Sequence, residues 1–258
     1  MLKEIIVRGV SLKVKYKEEA AKRPTIVFLH DSLGCIDLWR DFPEKLGKEI
    51  HCNILVYDRQ GYGQSDPFTD LPRNNDYLEK EADVLHELIQ QTGIQQAILF
   101  GHSDGASIAL IAAAKYPAAI IGVITEGAHI FVEDITLKGI RDAVVAYRTT
   151  NLKEKLSRYH GAKTDVVFAA WADTWLSKTF KSWNIENFLP QITCPVLVIQ
   201  GEHDEFGSIK QVTGIINQVL GKSTQLIMSS VGHTPHKDAV NEVLYHVTAF
   251  VKNVYTIP

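Results

Sequence analysis

The chain has 258 residues and a formal charge of −3, from 27 basic and 30 acidic side chains, with 45% apolar and 22% charged residues. That composition excludes a disordered, collagen-like or fibrous chain, and the balanced charge gives no electrostatic case for nucleic acid or an anionic membrane as partner. The length allows two domains, or one large α/β domain with a sizeable core.

Residues 1–18 alternate apolar and polar (Ile5, Val7, Val10, then Leu12, Val14, Tyr16), which predicts two short antiparallel strands meeting near Gly9. No export-type apolar segment precedes them, so the expected location is cytoplasmic. Short apolar runs then recur at 25–30, 53–58, 97–101, 120–125, 195–200 and 224–228. They are rich in Val and Ile without strict alternation, the pattern of strands covered on both faces in a parallel sheet. Helical patterns fall between and after them at 38–49, 76–92, 105–115, 208–220 and 239–252, so a doubly wound, mostly parallel α/β sheet is expected. The interval from about 133 to 190 breaks this rhythm. It is helical in pattern and aromatic, with Trp171, Trp175 and Trp183 among its residues. It predicts a helical cap of residues 133–190 inserted after the sixth strand into a core of residues 1–132 and 191–258. The richest apolar stretch, 106–123, is broken by Lys115 and Pro117, so no membrane span is expected. Cys35, Cys52 and Cys194 are scattered and odd in number, which argues against a disulfide framework or a zinc site and suits a reducing compartment.

The chemistry concentrates at strand ends. The 97–101 run leads into Gly101-His-Ser-Asp-Gly105 and then at once into a small-residue helix, which is G-x-S-x-G in the strand–turn–helix context it requires. A tight turn at Ser103 strains its backbone and lifts the hydroxyl above the sheet edge, and glycines on either side remove side chains that would collide there. A serine hydroxyl needs a base, and the base needs an orienting acid. In serine, acid, histidine order, the loop after 195–200 offers Asp204 and the loop after 224–228 offers His233. His236 is the rival base, and Glu202, Glu205 and Glu126 are rival acids. The oxyanion donors expected are the backbone N–H groups of Asp104 and of Ser32, in the loop after 25–30. Trp171, Trp175, Glu126 and His129 are expected near the mouth of the site as substrate-binding residues.

These motifs together resemble the α/β-hydrolase superfamily. The matching pieces are His30-Asp-Ser-Leu-Gly34, Asp58-Arg-Gln-Gly-Tyr-Gly-Gln-Ser65, Gly101-His-Ser-Asp-Gly105, Gly201-Glu-His-Asp204 and Gly232-His233. The resemblance implies the α/β-hydrolase fold with an eight-stranded sheet. Ala112-Ala-Ala-Lys-Tyr-Pro117, Gly139-Ile-Arg-Asp142 and the strand beginning at Cys194 are similar to the valacyclovir hydrolase (biphenyl hydrolase-like) branch. That branch cleaves esters of α-amino acids, and the resemblance implies that Asp104, just after the serine, meets the substrate ammonium. The sequence departs from the usual His-Gly of the superfamily at Asp31, and from the branch's frequent Trp at His102.

The function expected is therefore a serine hydrolase of small carboxylic esters acting through an acyl-enzyme, with a small-molecule ester or related acyl compound as its partner. Thioester or carbon–carbon bond hydrolysis on the same machinery, and a non-catalytic small-molecule receptor or regulatory role, are the alternatives. Epoxide hydrolase and haloalkane dehalogenase chemistry uses an Asp nucleophile where this chain has Ser103. No dinucleotide fingerprint, phosphate loop or zinc-protease helix is complete, so neither metal nor organic cofactor is expected. The sequence does not set the oligomeric state.

Overall fold

In the computed structural model, which describes residues 2–19 and 23–255, the alternating N-terminal segment forms an antiparallel hairpin. Its strands are β1 (Leu2–Val7) and β2 (Val10–Lys17), with Val7 opposite Val10 across Gly9. The apolar runs become β3 (Thr25–Leu29), β4 (Asn53–Tyr57), β5 (Ala97–His102), β6 (Ile120–Glu126), β7 (Val196–Gly201) and β8 (Ser223–Met228). The eight strands lie in the order β1-β2-β4-β3-β5-β6-β7-β8. β2 pairs antiparallel with β4, and every pair from β4 to β8 is parallel. Every residue of β3, β4, β5 and β7 is buried, which is why these strands read as apolar runs and not as alternations.

Helices cover both faces. α1 (Phe42–Ile50) and α9 (Val240–Val254) bury Phe42, Leu46, Ile50, Val243, Val247 and Val251 against one face. α2 (Tyr77–Gln91), α3 (Asp104–Lys115) and α7 (Ile209–Gln218) pack in the core on the other. α3 is buried all round from Asp104 to Ala114, so its small, apolar sequence shows little amphipathic periodicity. The helical pattern at 38–49 splits. A 3-10 turn occupies Ile36–Trp39 and α1 begins only at Phe42, because Pro43 lacks a backbone N–H and fits only the first turn. The pattern at 239–252 is preceded by a short helix, α8 (Pro235–Asp238).

Between β6 and β7 lie α4 (Asp134–Thr149), α5 (Leu152–His160) and α6 (Thr164–Trp175), followed by short 3-10 turns. Among the described residues this segment adds no strand to the sheet; its one extended contact is a bridge between Phe131 and Asn184. Its aromatic residues pack on one another: Tyr147 stacks on Phe168 at 3.8 Å, and Trp175 meets Trp183 at 5.4 Å. At the end of α5, His160 accepts from the Gly63 N–H through Nδ1 and donates from Nε2 to the Leu33 carbonyl. The segment is thereby tied to two loops at the C-terminal edge of the sheet. No helix among the described residues is long and apolar enough to cross a membrane.

α3 crosses the sheet at very close range. A Cβ on Gly105 would stand 2.1 Å from the Leu29 carbonyl oxygen, and one on Gly101 would stand 2.2 Å from the Gly105 carbonyl oxygen. Both obstacles are backbone, so neither can rotate away. Gly105→Ala is expected to cost about 1–3 kcal/mol in urea unfolding. Gly207→Ala, whose Cβ would meet nothing closer than 3.5 Å, serves as the tolerated control. A wild-type midpoint for Gly105→Ala would contradict this crossing.

Candidate active site

The loops that follow β3, β5, β7 and β8 meet at the carboxyl edge of the sheet, where ligands bind in open α/β folds. Between β5 and α3, Ser103 takes φ 54° and ψ −118°, a left-handed conformation that side chains rarely adopt. Its N–H donates to the Glu126 carbonyl at 2.8 Å, which clamps the turn to β6. Ser103, His233, Ser32, Asp104, His129, Trp171 and Trp175 all line one cavity of about 250 Å³, with Thr136, Ile140 and Leu152 among its walls.

Asp204, buried behind the cavity wall, pairs with His233, which lines it. His233 Nδ1 lies 2.9 Å from both carboxylate oxygens of Asp204. The carboxylate is further held by Gln200 Nε2 at 2.6 Å and by the N–H groups of Phe206 and Gly207. Burial alone would raise the Asp204 pKa, but the His233 charge and these hydrogen bonds bring it below the ordinary value. Burial alone would lower the His233 pKa, and Asp204 raises it above the ordinary value. Because Nδ1 is bonded to Asp204, Nε2 is the nitrogen left for chemistry. Among the described residues the Ser103 hydroxyl and the imidazole share the cavity without a hydrogen bond between them, a separation common before substrate draws such groups together.

The rival base and one rival acid pair with each other instead. His236 Nδ1 lies 2.6 Å from Glu126 Oε2, with the two side chains 3% and 0% exposed. Burial pushes Glu126 up to about 7 and His236 down to about 3, so it favours the uncharged form of each. This is opposite in sense to the Asp204–His233 pair. Neither residue lines the cavity. The expectation that Glu126 sits at the mouth is therefore corrected: its carboxyl is buried against His236 of α8 and does not line the cavity. Glu202 is exposed and accepts from the Ser230 N–H, while Glu205 is exposed at the cavity wall. Trp183 packs behind Trp175 and does not reach the cavity.

The N–H groups of Ser32 and Asp104 donate to no acceptor among the described residues. Arg59, fully buried, aligns the loop that carries Ser32. Its backbone N–H donates to His30 Nε2, and its guanidinium donates to the carbonyls of Asp31 and His30 at 2.9 and 3.3 Å. The same guanidinium lies 3.8 Å from the Asp104 carboxylate, which is 1% exposed and also accepts from the Tyr77 hydroxyl. Trp175 Nε1 in turn donates to Tyr77, so the helical segment is linked to the residue after Ser103.

His102 donates from Nε2 to the His233 carbonyl at 2.8 Å. Burial holds its pKa down at about 4, so its Nδ1, 3.9 Å from Asp31, is a lone pair and not a donor. His129 donates from Nε2 to the Phe206 carbonyl and packs its ring 5.3 Å from Trp175. Sequence reasoning missed Gly127, at φ 55°, where a Cβ would stand 2.7 Å from the His233 ring and 3.3 Å from Asp204. Its signal was a glycine directly after a strand. Sequence reasoning also missed Gln200 and Tyr77, which carry no motif. Among the described residues no group of three or more His, Cys, Asp or Glu side chains is arranged to hold a metal ion.

A model of the alpha/beta hydrolase fold family matches residues 24–184. The chain is 30% identical over 214 residues to human serine hydrolase BPHL, covering 78% of this chain and 69% of that protein. It is 26% identical over 228 residues to a 2-hydroxy-6-oxononadienedioate/2-hydroxy-6-oxononatrienedioate hydrolase of Paraburkholderia phymatum, covering 77% of each. Among solved structures, a proline iminopeptidase of Mycobacterium smegmatis superposes with a TM-score of 0.77 over 98% of both chains, at 16% identity.

The Asp204–His233 pairing has a pH signature. A lowered carboxylate pKa gives stability that is full above the unfolded value of about 3.9 and is lost as pH falls through the folded value. A raised imidazole pKa gives stability that is full below about 6.5 and is lost as pH rises through the folded value. The urea-stability gap between wild type and Asp204→Asn is expected to be widest between about pH 4 and 6.5. A gap that widens steadily above pH 6.5 would contradict the pairing.

Proposed function

The chain belongs to the α/β-hydrolase family, and within it we propose that the protein is a serine hydrolase that cleaves small carboxylic esters through an acyl-enzyme. The observation that carries this reading is the shared cavity. It is lined by a serine in a left-handed turn, an imidazole whose far nitrogen is fixed by a buried carboxylate, and two unbonded N–H groups. In the proposed reaction His233 Nε2 takes the Ser103 proton as Oγ attacks the acyl carbon. The Ser32 and Asp104 N–H groups hold the oxyanion, at the amino end of α3 where the helix dipole also favours negative charge. The imidazolium, stabilised by Asp204, then protonates the departing alcohol. Water deprotonated by the same imidazole attacks the acyl-enzyme and releases the acid and Ser103. Residues 133–190 serve as a cap in this reading, with Trp171 and Trp175 as apolar walls for the acyl chain and His129 beside them. The free thiols of Cys35, Cys52 and Cys194 suit a reducing compartment, and we assign the protein to the cytoplasm. The similarity to the Paraburkholderia hydrolase supports a second reading, hydrolysis of a dioate such as the compounds for which that relative is named.

A fluorophosphonate probe tests the first step: labelling is expected in the wild type and absent in Ser103→Ala. A folded wild type that takes no label and turns over no p-nitrophenyl ester would favour a non-catalytic receptor. On such an ester, kcat/KM should rise with pH along an acid limb above the ordinary imidazole value of about 6.5, since neutral His233 is the base and Asp204 raises its pKa. Asp204→Asn should move that limb to lower pH and reduce kcat by roughly 10⁴-fold. An unmoved limb in Asp204→Asn would contradict the assignment.

A further inference from the structure

Three carboxylates line the cavity, Asp31, Asp104 and Glu205, and no Lys or Arg side chain does. The three differ in what faces them. Asp104 has the fully buried Arg59 guanidinium at 3.8 Å and the Tyr77 hydroxyl at 2.9 Å, so its charge is offset within the protein. Glu205 stands exposed at the cavity wall, where water screens it. Asp31 has no such partner within the protein and is less exposed than Glu205. Its side chain is 31% exposed and, among the described residues, it has no hydrogen-bond donor and no ammonium or guanidinium within 4 Å. The nearest titratable group is His102 at 3.9 Å, whose proton is committed to the His233 carbonyl. The Asp31 carboxylate is ionised at neutral pH: burial would raise its pKa, but His102, which is protonated in acid below about pH 4, and the charge of Lys237 bring it down to about 2. Its position is fixed as well, because the side chain occupies the space a Cβ on Gly34 would need, 2.1 Å from Oδ1. This carboxylate sits directly before Ser32, in the loop assigned to the oxyanion.

From this placement we infer that Asp31 is a specificity-determining residue, whose carboxylate, facing the cavity without a hydrogen-bond donor or a Lys or Arg in contact, bars acyl groups that carry negative charge and leaves neutral and cationic ones to be accepted. The inference rests on the esterase reading above and decides against its dioate alternative. Two negative charges confined to a cavity of about 250 Å³, with no cationic wall between them, repel strongly. An anionic acyl group also brings its charge next to the place where the oxyanion develops.

The test compares p-nitrophenyl 5-methylhexanoate with mono-p-nitrophenyl glutarate, which have nearly the same shape and differ by one negative charge, each corrected for its uncatalysed rate. The wild type is expected to favour the neutral ester in kcat/KM by at least about 10-fold. In Asp31→Asn and in Asp31→Gly that ratio should fall to within about 3-fold. Comparing two esters within one variant cancels any shared loss from a disturbed oxyanion loop. A second arm requires no turnover: calorimetry on Ser103→Ala with 5-methylhexanamide and glutaramate should show the same preference, and adding Asp31→Asn should remove it. A ratio unchanged in both Asp31 variants, or tighter binding of glutaramate by Ser103→Ala, overturns the inference. Failure of the esterase reading shows separately, as absent probe labelling with the binding preference intact.

Discussion

The close approach of α3 to the sheet is the constraint on which the rest of the site depends. With backbone 2.1 and 2.2 Å from where side chains at Gly105 and Gly101 would begin, the chain can leave β5 and enter α3 only through a turn with no room to relax. That turn puts Ser103 at φ 54°, a conformation that costs of order 1–3 kcal/mol and persists only where the surroundings over-determine it. Here they are the Glu126 carbonyl, which accepts the Ser103 N–H, and a helix buried on every side. The same turn leaves the Asp104 N–H without an acceptor among the described residues, in the first turn of α3 at the carboxyl edge of the sheet.

Around this turn, burial sorts the histidines by their partners. His233 meets a carboxylate already satisfied by three other donors, so the ion pair is favoured and its other nitrogen stays available. His236 meets Glu126 in a place so closed that both are driven toward neutrality. His102 is held neutral and spends its proton on the His233 backbone. His233 and His236 each lie with their rings about 5 Å from that of His102, yet the three differ in chemistry through their burial and through what their neighbours can accept or donate. Arg59 plays the matching part on the oxyanion side, since one guanidinium reaches both the loop that carries Ser32 and the Asp104 carboxylate.

Much of this was legible in the sequence because the signals are local. Val- and Ile-rich runs between amphipathic stretches give the sheet, and a glycine on each side of Ser103 gives the turn. A strand followed by Asp204, and another followed by His233, supply candidates in the right chain order. What the sequence hid is what folding decides between distant residues. His236 and Glu126 stand in the sequence as rivals to His233 and Asp204, and nothing local shows that the two would pair with each other. Glu126 belongs to a strand that ends on the correct edge, yet its side chain turns toward His236 and away from the cavity lining. Gly127 and Gln200 support the His–Asp pair from strand ends that show no motif. Asp31 reads as a simple departure from a glycine, and its lack of a donor among the described residues emerges only once His102 and Arg59 are in place.

The central claim is that the Ser103 oxygen becomes covalently acylated during turnover. Rapid quenching of the enzyme with a slowly deacylating ester, followed by peptide mass spectrometry, reads this directly. The account predicts a transient acyl adduct on the peptide containing Ser103, formed and lost at rates that account for steady-state turnover. Ester hydrolysis at full rate with no such adduct, or with the adduct on another residue, would contradict it.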